Sequence, residues 1–116
     1  MSYETPPQAP FLNVFKGALV GPLSPVDGYV YLTKGVLGWN PETFPAIVVQ
    51  ATGAVTAVEV LGLDGETWCA YPGTDATIGS GEVKILRGRW TAIRLATADD
   101  VWVKGDLLDA AYNSGL

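Results

Sequence analysis

A chain of 116 residues with a formal charge of −5 is long enough for one domain with a single modest core, and its acidic balance argues against a general nucleic-acid binder. Charged residues make up only 16%, below the usual quarter, against 48% hydrophobic residues. One cysteine and no histidine exclude an intrachain disulfide framework, a Cys–His pair and a Ser–His–Asp triad.

Light charging in a Gly- and Pro-rich chain fits surfaces partly covered by something else, or a neutral soluble β domain. The charge is uneven. Residues 1–80 hold Lys16 and Lys34 against seven acids, and residues 81–95 hold Lys84, Arg87, Arg89 and Arg94 against Glu82. The remainder returns to acidic, with Asp99, Asp100, Asp106 and Asp109 against Lys104. Such patches can pair between identical subunits or lie on solvated strand faces. No apolar run reaches the ~18 residues of a membrane span. Met1 to Pro7 has neither the basic nor the apolar region of a signal peptide, so the expectation is of a chain made and folded in a cytoplasm.

Residues 1–10 hold Pro6, Pro7 and Pro10, which predicts an extended arm. Phe11 to Val20 alternates and predicts an edge strand, or an arm lying on a neighbour with Phe11 and Phe15 as its contacts. Pro22 and Pro25 then break regular structure. Gly28–Gly35 predicts a strand with Tyr29, Tyr31 and Thr33 on one face and Val30, Leu32 and Lys34 on the other. Asn40-Pro41 signals a turn, and Trp39 beside it is either a loop anchor plugging the core or a contact for a sugar or a protein.

Ala46–Ala51 is a continuous apolar run, as in a strand buried on both faces. Residues 54–63 predict the next strand, and Asp64-Gly65 predicts a two-residue type I′ hairpin, because both central positions of that turn need φ > 0. Pairing Leu63 with Glu66 sets Leu61 opposite Trp68, Glu59 opposite Ala70 and Val60 opposite Cys69. Val58 and Val60 then face the core, while Leu61 and Trp68 form a partly exposed apolar pair of the kind that marks interfaces. Cys69 is expected as a small buried apolar residue.

Three further strands follow, at Glu82–Leu86, Trp90–Leu95 and Val101–Lys104. Trp68, Trp90 and Trp102 each sit beside polar strand positions. On one face they would make an aromatic strip with Arg94 and Lys104, able to stack on a carbohydrate or a single nucleic-acid strand, or to be covered in a subunit interface. A short helix or turn is expected over Leu107–Tyr112. Strands spaced by turn signals predict an all-β fold: a small antiparallel sandwich or barrel over residues 44–116, preceded by an arm over 1–43 with one or two edge strands.

The sequence holds no phosphate-binding loop and no metal-ligand spacing, so no cofactor and no metal are expected. Glu59 can meet Glu66 or Glu82 as a carboxylate pair, but nothing selects them over solvated positions, and the expectation is a non-enzyme.

Three stretches, Leu61–Glu66, Tyr71–Thr74 and Leu86–Ile93, together resemble small bacteriophage virion structural proteins of the capsid-decoration, head-spike or short-fibre type. The resemblance implies a structural role on a virion, made in the host bacterial cytoplasm. Its partners would be copies of itself, commonly as a trimer, and capsid or tail proteins. The interface candidates are Phe11, Phe15, Trp39, Leu61, Trp68, Trp90, Arg94 and Trp102. The alternative is a module that uses exposed tryptophans to bind a carbohydrate or receptor, such as a host surface glycan.

Overall fold

The structure, a computed structural model, describes residues 19–72 and 76–106. Among the described residues there are eight strands: β1 (Val20–Leu23), β2 (Tyr29–Leu32), β3 (Ala46–Ala51), β4 (Val55–Leu61), β5 (Trp68–Ala70), β6 (Val83–Arg87), β7 (Ile93–Thr97) and β8 (Val101–Asp106). A single helical turn, α1 (Lys34–Leu37), and a 3-10 turn at Pro41–Thr43 separate β2 from β3. Phe11 and Phe15, the proline arm and the expected C-terminal helix lie outside the described residues.

The strands form two antiparallel four-stranded sheets, ordered β1-β8-β3-β6 and β2-β7-β4-β5. The order has a simple origin. β1 pairs with β8, β2 with β7, β3 with β6 and β4 with β5, so the chain is one long ribbon folded back on itself. Rolling that ribbon adds the β3–β8 and β4–β7 pairings. The result is an eight-stranded double-sheet jelly roll, an all-β sandwich.

Period-2 alternation builds the core. One sheet contributes Ile47, Val49, Ala51, Leu86, Val101 and Val103, and the other Val30, Leu32, Val58, Val60, Ile93 and Leu95, all essentially without solvent contact. Each buried Val, Leu or Ile among them contributes about 1.5–3 kcal/mol by leaving water, which is the main force holding a chain without a disulfide. Val55 and Ile78 exchange two backbone hydrogen bonds of 2.8 and 3.0 Å, and both side chains are buried.

Several expectations change. Residues 20–43 hold two edge strands, β1 and β2, one in each sheet, but they are integrated with the domain and do not form an extended arm, since Val30, Leu32 and Leu37 lie in the core. The proline that seemed to forbid structure is absorbed by an irregularity in β1, where Val20 opposes Val103 but Leu23 opposes Val101. An edge strand with a bulge tolerates a residue lacking an N–H. β2 stops at Leu32, since Lys34–Leu37 makes a helical turn closed by Gly38 at φ 81°, whose N–H donates to the Lys34 carbonyl (2.9 Å). Asn40-Pro41 opens the 3-10 turn, with Asn40 Oδ1 accepting from the Glu42 N–H. β3 is buried mainly on one face, because Val48 is half-buried and Gln50 exposed.

Candidate functional site

The hairpin between β4 and β5 has the expected register, with Glu59 opposite Ala70, Val60 opposite Cys69 and Leu61 opposite Trp68. Its turn is different. Only Gly65 takes positive φ (75°), so the turn is not type I′. Instead Gly65 N–H donates to the Gly62 carbonyl (3.0 Å) and Gly62 N–H to the Thr67 carbonyl (2.7 Å). The Asp64 carboxylate organises the rest. Oδ1 accepts from the Glu66 and Thr67 N–H groups, both at 2.9 Å, and Oδ2 from the Thr67 hydroxyl at 2.6 Å. The bond from the Thr67 side chain, then the two backbone N–H donors, hold the Asp64 pKa down to about 2, because each favours the charged form.

Arg94 is the centre of the outer face of the β2-β7-β4-β5 sheet. The register sets it between Tyr31 on β2 and Glu59 on β4. Its Nε donates to Glu59 Oε1 at 2.7 Å, both side chains being partly buried. The guanidinium lies 4.2 Å from the centre of the Tyr29 ring and 4.8 Å from that of Trp68. Tyr31 meets Trp68 edge-on at 6.0 Å and tilts against Tyr29 at 6.1 Å. The hydrogen bond from Arg94 to Glu59 raises the guanidinium pKa above its ordinary value, against the opposing effect of desolvation. The result is a plate of four aromatic and charged side chains around one cation, its three rings each half-buried.

A cleft of about 430 Å³ opens where the hairpin meets the β6–β7 connection. Its walls are mostly apolar, from Val60, Leu61, Ala70, Pro72 and Trp90, with Arg89 and Thr91 adding polarity. Cys69 lines it and is exposed, so the expectation of a buried thiol is corrected: β5 is an edge strand, and its inward side overhangs the cleft instead of the core. Arg89 donates to the Glu42 and Thr43 carbonyls at 3.4 and 2.8 Å, and the Thr91 hydroxyl to Glu42 Oε2 at 3.5 Å.

The expected tryptophan strip does not form. Trp68 and Arg94 are together, but Trp102 lies on the outer face of the opposite sheet, against Gly21. Trp90 sits in the β6–β7 connection, its Nε1 donating to the Arg87 carbonyl (3.0 Å) and its ring edge-on to Tyr71 at 6.2 Å. Trp39 packs on the core and edge-on to Phe44 at 5.0 Å, as a loop anchor. Leu61 is half-buried beside the cleft. Glu59 and Glu82 do not share a site: Glu59 is bound by Arg94, while Glu82 takes the Gly79 N–H at 2.8 Å beside the other sheet. The sequence reading passed over Tyr29, Tyr31 and Glu59 as members of the cluster. Their shared faces were visible in the alternation, but the β2–β7 pairing that unites them was not.

Exposed apolar side chains mark other places. Val83 and Ile85 project outward from edge strand β6, and Leu63 stands at the hairpin tip. Among the described residues no group of three or more His, Cys, Asp or Glu could hold a metal ion, and no helix is long and apolar enough to cross a membrane. Comparison with protein-family models, with curated proteins and with solved structures found no match.

Proposed function

We propose that the chain is a non-enzymatic structural subunit of a bacteriophage virion, of the decoration, spike or fibre kind, that associates with itself and with neighbouring capsid or tail subunits. The observation that carries this reading is the combination of a jelly roll with outward-facing Val83, Ile85 and Leu63. Jelly rolls recur in viral capsid domains, though they also serve lectins, and a fold does not by itself assign a function. Apolar groups on strand faces and loop tips favour the assembly role, because burying them against a neighbour is favourable at every contact. Light scattering of the purified chain over a wide concentration range is the test. Self-association, together with retention on purified particles, supports the reading; a compact monomer that binds no particle overturns it.

A second reading is favoured by the Tyr29–Tyr31–Arg94–Trp68 plate, whose ring edges could contact a carbohydrate. Glycan-array binding lost in Trp68→Ala, with the oligomeric state intact, would favour it over assembly.

A further inference from the structure

The hairpin tip and the adjoining cleft form a knob beside a hole. Leu63 is as exposed as in an extended peptide, at 110% relative accessibility. It is held there firmly, in a loop pinned by three bonds to the Asp64 carboxylate and by the Gly62–Thr67 backbone bond. A group fixed in its contact position loses little freedom on docking. The hole it adjoins is walled by Leu61, Pro72 and Trp90, with Leu63 of the same chain also lining it, and its volume of about 430 Å³ readily admits a leucine side chain. Charge is complementary across the same patch: exposed Arg89 stands on the cleft and exposed Glu66 on the loop.

We infer that two copies of the chain dock hairpin to hairpin, the Leu63 of each seated in the cleft of the other and Glu66 facing Arg89. This rests on the self-association reading and names the contact through which it occurs. Because knob and hole belong to one patch, a two-fold axis satisfies both at once and closes the assembly, leaving no knob free. Each seated leucine covers the Cys69 thiol of the opposite cleft, which turns that thiol into a reporter.

The test measures mass by sedimentation and Cys69 alkylation by a maleimide, on the full chain, from dilute to concentrated solution. The expected result is a monomer–dimer equilibrium in which alkylation slows about tenfold or more as dimer forms, because thiol reactivity follows access. Leu63→Asp should stay monomeric and rapidly alkylated with an unchanged circular dichroism spectrum, while Leu63→Met should still dimerise. Arg89→Glu should weaken the dimer, and adding Glu66→Arg should restore it. An oligomer that persists in Leu63→Asp with Cys69 reactive overturns this docking and leaves self-association standing. A monomer at every concentration overturns both. A thiol already protected in dilute monomer, or a trimer, overturns the two-fold contact alone.

Discussion

Replacing Arg94 by alanine tests the outer plate of the β2-β7-β4-β5 sheet. The guanidinium faces two rings, 4.2 Å from Tyr29 and 4.8 Å from Trp68. At partly exposed sites each such contact is worth about 0.5–1 kcal/mol. The bond to Glu59 is charge-assisted and short at 2.7 Å, with 20% and 27% of the two side chains accessible. That places it near the upper end of surface ion pairs, at about 1 kcal/mol. The expected loss is therefore about 2–3 kcal/mol, or a fall in Tm of about 8–12 °C for a chain of this size. Urea unfolding followed by tryptophan fluorescence should show a lower midpoint with an unchanged slope, since the core and the surface exposed on unfolding stay the same. Arg94→Lys keeps the charge but not the planar fork, and should recover less than half of the loss. A cycle with Glu59→Ala should return a coupling of about 1 kcal/mol. A loss below about 0.5 kcal/mol in Arg94→Ala would refute the reasoning, because these contacts would then contribute no more than an ordinary solvated side chain.

Three further outcomes are expected. Leu32→Ala, at a fully buried position between the sheets, should cost about 2–5 kcal/mol in denaturant unfolding. Gly88 has φ +113°, and a methyl group there would come within 2.6 Å of Trp90 Nε1. Gly88→Ala should therefore cost about 1–3 kcal/mol and shift tryptophan emission to the red as the indole leaves the Arg87 carbonyl. Asp64 has a folded pKa lowered to about 2 from 3.8, so the unfolded chain binds more protons between those values. The stability it adds is fully present above pH ~4 and drains as pH falls toward ~2. Stability measured across that window should fall less steeply in Asp64→Asn than in the parent chain.

The sequence made the hairpin legible in register but not in turn type. Any turn centred between Leu63 and Glu66 places Leu61 opposite Trp68, so the register survives an error about the turn. The turn itself is decided by the Asp64 side chain competing for two backbone N–H groups, a choice that dipeptide preferences do not encode. Alternation put Val30 and Leu32 on one shared face and placed Val58 and Val60 inward, and all four are buried, because hydrophobic period sorts the faces of a strand. It does not say to which sheet a strand belongs. For that reason Trp68 and Trp102, alike in pattern, end on opposite sides of the sandwich, and Tyr29 and Tyr31 join Arg94 across 62 or more residues of intervening chain. Pro22 misled the reading of residues 20–43, because a proline at a bulged edge removes no ladder bond.

Edge strand β6 is closed at one end. The Tyr71 hydroxyl accepts from the Arg87 N–H at 2.8 Å and donates to the Arg87 carbonyl at 3.2 Å, and the Trp90 indole takes the same carbonyl at 3.0 Å. Both polar groups that a newcomer strand would need at Arg87 are thus engaged by the protein's own side chains. An added strand could align only along Val83–Ile85, too short a stretch to propagate a sheet from molecule to molecule. At this border the protein's own side chains thus do what a covering strand would otherwise do, and continuous pairing in the manner of a cross-β fibril has no full-length template along β6.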